Sequence, residues 1–263
     1  MMNILEKIAA TKRIEVEALK ATMPLEAAKM KAHSGLRSVI SMSESIRSHN
    51  PGIIAEHKRR SPSKGEISPM SEVAEIAKAY AEAGAAAMSV LTDTPYFGGS
   101  LTDLAVARAA APRLPLLRKE FIIDDFQIYQ ARIFGADAIL LIAAMLDKTS
   151  LHHLKDTAHS LGLEVLVEVH STEEIGKVPE DADMVGVNNR DLTSFSTDIS
   201  NSARLIEALP DEMVKVAESG IRTPEDIRRL SEAGFDGFLI GEAFMSTPDP
   251  GATLRRFIQE SRL

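Results

Sequence analysis

The 263-residue sequence contains no cysteine. That absence excludes a disulfide framework, a thiolate metal site and a cysteine nucleophile. Long apolar runs are missing too: the longest, such as AILLIAAML at 138–146, fall well short of the ~20 residues that span a bilayer. No membrane association is expected. The opening stretch MMNILEKIAATKRIEVEALK places charge every few residues and has no apolar signal core, so the expected location is cytoplasmic. Basic residues are in deficit, 30 against 38 acids for a formal net charge of -8. This argues against charge-driven binding of nucleic acid or anionic lipid, which needs a net basic face. What is present is globular material, 44% hydrophobic and 26% charged, enough for a substantial core.

From residue 52 onward, short apolar runs recur: GIIAE at 52, AMSVLT at 87, PLLRK at 115, AILLIA at 138, LEVLVEV at 163, MVGVNN at 184, VKVAES at 214 and GFLIG at 237. Between them lie segments with helical spacing, such as Val73, Ile76, Ala77, Tyr80 and Ala81. Helix starts are marked by Ser71, by Ser171 with Thr172, and by Thr223 with Pro224; Gly84, Gly135, Gly162 and Gly234 mark stops. The strands read as continuous rather than alternating apolar runs, so both faces are covered, as in a parallel sheet clothed by helices. Eight such units predict a closed (β/α)8 barrel. An open doubly wound sheet is the weaker alternative, since no G-x-G-x-x-G fingerprint follows the first strand. Residues 1–51 carry helical spacing (Ile4, Leu5, Ile8, then Leu25, Ala28, Met30) and are expected to pack across the barrel's end, extending a single domain of residues 1–263 whose barrel core is 52–263.

In a parallel barrel, functional groups sit at the C-terminal ends of the strands. Here those ends carry Glu56 and Lys58, Lys119, Glu168, Asn188 and Arg190, Glu218 and Ser219, and Gly241. Side chains two apart share a face, so Ile54, Glu56 and Lys58 align, as do Leu117 with Lys119 and Leu166 with Glu168. If the apolar members point inward, the charges line the mouth; outward, they would be buried among helices at a cost of several kcal/mol if unpaired. Lysines and glutamates converging there would shift each other's pKa values and supply acids and bases. Structural ion pairing is the plain alternative, and Glu56 with Lys58 or Lys119 is the best candidate for it.

Ser219-Gly220 and Gly241 occupy the loops after the seventh and eighth strands, where bare backbone N–H groups can approach a phosphate. The run HKRRSPSKG at 57–65 is expected to cover the same mouth as a basic lid for an anionic small molecule. It lacks the spacing of a Walker loop. His152, His153 and His159 fall in one helix without metal-ligand spacing, so no metal is expected; His170 follows the fifth strand with no evident partner.

Residues 53–65 (IIAEHKRRSPSKG) resemble the first-strand signature of the indole-3-glycerol phosphate synthase family, and LTDTPYFGGS at 91–100 is similar to its second-strand loop. LLRKEFIIDDFQIYQARIFGADAILLIAAML at 116–146, LEVLVEVH at 163, GVNNRDL at 186, VAESGI at 216 and FLIGEAFM at 238 match in order, and the resemblance covers residues 1–263. It implies a (β/α)8 TIM barrel with an N-terminal helical extension. It also implies ring closure of 1-(2-carboxyphenylamino)-1-deoxyribulose 5-phosphate with loss of carbon dioxide and water, a carboxy-lyase step of tryptophan biosynthesis needing no cofactor.

By that resemblance Lys119 is the general acid, Glu168 the base, Lys58 an assisting acid, Glu56 the residue that holds the lysines, and Asn188 with Arg190 orient the anthranilate portion. Phe97, Phe121, Leu140 and Leu192 would give apolar walls. Ser61, Gly220, Gly241 and neighbouring backbone would hold phosphate, with Glu218, Ser219 and Leu239 as further substrate contacts. Glu242 stands where a small hydroxyl residue is frequent in the family, so only its backbone N–H is expected to take part. Three rival readings remain: a Schiff-base aldolase using Lys119 or Lys58, a phosphoribosyl-type isomerase whose usual cysteine base is absent here, and a non-catalytic phosphate-ligand binder. The expected partner is a phosphorylated small molecule, with the chain a monomer or weak homo-oligomer.

Overall fold

A computed structural model of the chain describes residues 4–34, 37–191 and 196–262. Eight parallel strands close into a barrel: β1 (Gly52–His57), β2 (Ala87–Leu91), β3 (Leu116–Lys119), β4 (Ala138–Ile142), β5 (Glu164–Val169), β6 (Met184–Asn188), β7 (Val214–Glu218) and β8 (Gly237–Ile240). Each pairs with its neighbours in sequence, and β1 closes the ring by pairing Ile54 with Ala87 of β2 and Gly52 with Gly237 of β8. All eight follow the apolar runs of the sequence. Alternation divides each strand between two cores: Ile53 and Ala55 pack outward under the helices, whereas Ile54 joins Leu117, Leu140, Leu166, Val216 and Leu239 inside the barrel.

Most of the helix signals act as expected. Ser171 caps the turn Thr172–Ile175, and Thr223 forms a capping box with Asp226 ahead of Pro224–Glu232. Gly84, Gly135, Gly162 and Gly234 all take positive φ at helix ends. Ser71 is an exception. The helix Val73–Ala83 has Glu72 rather than Ser71 at its N-cap, and the Ser71 hydroxyl is taken by Ser68 O and by His57 Nε2, 3.0 Å away.

The N-terminal extension does more than cover one end. Helix α1 (Ile4–Thr22) lies at the mouth, where Ile4, Leu5 and Ile8 line the cavity described below. Helix α2 (Leu25–His33) packs on the flank against Asp125–Ile133. Helix α3 (Met42–Ser48) closes the floor, its Met42 and Ile46 fully buried with the barrel's inner side chains. Its start is fixed by Glu164 of β5, whose carboxylate accepts from the Ser41 and Ser43 hydroxyls and the Met42 and Ser43 amides at 2.6–2.9 Å.

Candidate active site

At the C-terminal rim, inward-facing side chains change from apolar to charged within one step of two residues. Ile54 gives way to Glu56 and then Lys58, Leu117 to Lys119, Leu166 to Glu168, and Val216 to Glu218. They surround a cavity of about 460 Å³. Every candidate residue that the structure describes lines it: Glu56, Lys58, Ser61, Phe97, Lys119, Phe121, Leu140, Glu168, Asn188, Arg190, Glu218, Ser219, Gly220, Leu239, Gly241 and Glu242. Leu192 lies outside the described residues.

Lys119 is the hub. Its Nζ sits 2.5 Å from Glu218 Oε2 and 3.0 Å from Glu168 Oε2. Asn188 Nδ2 donates to the other Glu168 oxygen at 3.1 Å, and its carbonyl accepts from the Arg190 amide. Lys58 binds Glu56 at 2.7 Å. Burial opposes the charge on Lys119, but Glu168, Glu218 and Glu56 outweigh it and raise its pKa above the ordinary lysine value. Glu168 is also penalised by burial, yet Lys119, His170 and the Asn188 amide hold it ionised. Glu218 goes the other way. Burial, with repulsion from Glu168 and Glu56, pushes it up to about 7 against the pull of Lys119. Three carboxylates around two ammonium groups leave one negative charge in excess, and Glu218 carries the consequence.

Two glycines make this crowding feasible. A Cβ on Gly186 would meet Glu218 Oε1 at 2.2 Å, and one on Gly241 would meet Glu56 Oε1 at 2.5 Å. Both positions therefore lend their side-chain space to carboxylates of the cavity, a constraint separate from the phosphate contact expected of Gly241. In the loop after β7, Ser219 takes a left-handed φ of 65°, a conformation that costs about 1 kcal/mol or more outside glycine and recurs at ligand sites. The same cavity carries an apolar wall in which the Phe97 and Phe121 rings stand 5.9 Å apart at 40°.

Two expectations need correction. The basic run 57–65 covers the mouth only in part: Lys58, Ser61 and Ser63 line the cavity, but His57, Arg59 and Arg60 turn elsewhere. His57 and Arg118 occupy the outward-facing positions of β1 and β3: His57 is 1% exposed beside Ser71, and Arg118 is buried against Glu120, Thr92 and the Gln127 carbonyl. Arg59 is drawn away by Asp103 at 2.6 Å, and Arg60 by the Thr94 and Pro95 carbonyls. Among the described residues the cavity's basic lining is Lys58, Lys119, Arg190 and the rim residues Arg222 and Arg256, the last two missed by sequence reasoning. His170 does have partners: Glu174 at 3.3 Å and Glu168 at 3.5 Å, which raise its pKa against burial. Glu242 borders the cavity, and its carboxylate lies 3.4 Å from Lys64 Nζ.

No group of three or more potential metal ligands occurs among the described residues. His153 and His159 instead pair with Asp125 and Asp183. A second charged cluster adjoins the mouth. Lys12 of α1 meets Asp93 and Glu120, which follow β2 and β3, and nothing in the local sequence pattern announces it.

A family model described as indole-3-glycerol phosphate synthase matches residues 5–257. A protein of that name from Bacteroides thetaiotaomicron is 49% identical over 262 residues, covering 98% of this chain and 99% of the relative. One from Albidiferax ferrireducens is 44% identical over 258 residues, covering 97% of each. Among solved structures, 3-hexulose-6-phosphate synthase from Salmonella typhimurium superposes with a TM-score of 0.65 at 14% identity, covering 80% of this chain and 98% of that one. That likeness concerns the fold alone.

Proposed function

Because the chain belongs to the indole-3-glycerol phosphate synthase family, we propose that the rim of the barrel performs the ring closure through Lys119, Glu168 and Lys58. The activity is that of a carboxy-lyase: 1-(2-carboxyphenylamino)-1-deoxyribulose 5-phosphate loses carbon dioxide and water to give indole-3-glycerol phosphate. The observation that carries the assignment of roles is Lys119 held between Glu168 and Glu218 inside a cavity with one aromatic wall.

In the first step the ring carbon bearing the carboxylate attacks the ketone carbon, and the ketone oxygen gains negative charge. Lys119, kept cationic by three carboxylates, stabilises that oxygen and donates its proton to form the hydroxyl. Loss of the carboxyl group as carbon dioxide returns the bonding electrons to the ring and restores aromaticity. Dehydration follows: Lys58 protonates the departing hydroxyl, and Glu168, ionised at neutral pH, takes the proton from the neighbouring ring-methylene carbon. Glu56 holds Lys58, and Asn188 holds Glu168 while its carbonyl orders the Arg190 backbone. Phe97 and Phe121 would receive the benzene ring. The phosphate falls to Ser61 and the backbone of Ser219, Gly220, Gly241 and Glu242, with Lys64 neutralising the Glu242 carboxylate.

The same electrostatics weigh against a Schiff-base aldolase built on Lys119. A lysine must lose its proton before attacking a carbonyl, and Lys119 is held in its charged form. No helix among the described residues is long and apolar enough to cross a membrane. That fits the cytoplasmic location we propose.

The decisive assay supplies the carboxyphenylamino ribulose phosphate to purified protein with a chelator present and follows the fluorescent indole product. We expect turnover. Activity seen only after metal is added back would overturn the cofactor-free scheme, and a borohydride-trapped lysine adduct would replace it with the aldolase mechanism.

A further inference from the structure

Lys12 is a lysine that a surface helix has no evident reason to bury. Its side chain is 3% exposed, and its ammonium touches Asp93 at 2.6 Å, Glu15 at 2.7 Å and Glu120 at 3.1 Å. Glu15 belongs to the same helix and is partly exposed. Asp93 and Glu120 are buried in the loops after β2 and β3. Each of these two carboxylates also holds the backbone of an aromatic residue of the cavity. Asp93 Oδ2 accepts from the Tyr96 and Phe97 amides at 2.8 and 3.0 Å, and Glu120 Oε1 accepts from the Phe121 amide at 2.9 Å. A parallel tie joins the Thr11 and Tyr96 hydroxyls at 3.0 Å, and Ile8, one turn earlier, lines the cavity itself.

We infer that Lys12 is a positioning residue for the aromatic end of the substrate, setting the spacing of Phe97 and Phe121 through Asp93 and Glu120 while fastening α1 over them. The physical reason is charge. Two buried carboxylates on separate loops repel one another, and the ammonium between them turns that repulsion into a clamp. Arg118 reaches Glu120 at 3.5 Å, whereas Lys12 is the only cation paired with Asp93 among the described residues. Removing Lys12 therefore frees the Phe97 side of the clamp first. The loops after β7 and β8, assigned to the phosphate, take no part in this network. The inference rests on the ring-closure reading of the cavity, and the test separates the two.

With the full-length enzyme, Lys12→Met is expected to lower kcat/KM for the carboxyphenylamino ribulose phosphate about tenfold or more, since small displacements of a reacting ring are expensive. The inhibition constant of inorganic phosphate is expected to stay within about twofold, because its subsite is untouched. Lys12→Arg, which restores a cation, is expected to recover most of the loss, and circular dichroism verifies the fold of each variant. If Lys12→Met fails to fold, Asp93→Asn gives the same comparison. A kcat/KM that does not move, or a phosphate constant that weakens in step with it, overturns the inference. Phe97→Ala and Phe121→Ala separate the failures. If they leave kcat/KM unchanged, the aromatic-wall reading is wrong; if they lower it while Lys12→Met does not, only the role of Lys12 is wrong.

Discussion

Two clusters of buried charge lie on opposite faces of the same strand end. Arg118 of β3 points outward into one, with Lys12, Asp93 and Glu120; Lys119 points inward into the other, with Lys58, Glu56, Glu168 and Glu218. The outer cluster sets two cations against the buried Asp93 and Glu120 and the partly exposed Glu15, and it holds Glu120 ionised against the burial that opposes it, through Arg118, Lys12, the Thr92 hydroxyl and the Phe121 amide. The inner cluster sets two cations against three carboxylates and lines the cavity, which Glu120 of the outer cluster also borders. Burial alone does not separate structural from chemical charge. The protonation each cluster imposes does: the outer one holds Glu120 ionised, whereas the inner one pushes Glu218 up to about 7.

Neighbouring substitutions break the comparison most sharply. Lys119→Met is expected to reduce kcat about 1,000-fold or more in an enzyme that still folds, since it removes a charge aimed at a transition state; the urea midpoint falls as well, because Glu168 and Glu218 lose their buried cation. Retention of more than about a tenth of the activity would show that Lys119 is not the principal acid. One residue earlier, Arg118→Met is expected to lose about 3 kcal/mol of stability but to keep kcat of the folded enzyme within about threefold. A collapse of kcat at unchanged stability would move Arg118 into the catalytic group.

The pH dependence sharpens the contrast further. Glu218 has an ordinary value of 4.5 and about 7 when folded, so the native state binds its proton more tightly. Its contribution to stability is complete below the ordinary value and is lost as pH rises through about 7. Glu168 has the reverse sign: its folded value is depressed, so its contribution is present at neutral pH and lost as the solution is acidified below 4.5. Between about pH 5 and 7, wild type is expected to lose about 2 kcal/mol relative to Glu218→Gln, read from paired urea titrations. Parallel curves would mean that Glu218 is ionised like its neighbours. The smallest effect belongs to the rim: Glu242→Ser is expected to lower KM by about twofold, because a partly exposed carboxylate is screened.

The barrel was legible because its strands are apolar on both faces, and runs such as AILLI at 138–142 leave little else to be. The inner charges were legible because alternation places Glu56 with Ile54 and Lys119 with Leu117. The same rule, applied to His57 and Arg118, puts them outside; counting the basic run as a block ignored the pleat. Lys12, Asp93 and Glu120 left no trace because their contacts join distant segments, and the second lysine in KIAATKRIEV looks like any solvated helix position. His170 could have been paired with Glu174 from their spacing across the start of the Thr172–Ile175 turn, four residues apart.

The N-terminal extension also has a consequence in time. Its helices touch mouth, flank and floor through bonds such as Thr11 to Tyr96 and Ser41 to Glu164, which reach 85 and 123 positions forward. During synthesis these helices leave the ribosome before any surface they will cover exists. The ring itself closes only when Gly237 reaches Gly52. A growing chain therefore holds the segment that will roof the catalytic chamber from the outset, but it has no chamber to roof until the last strand is made.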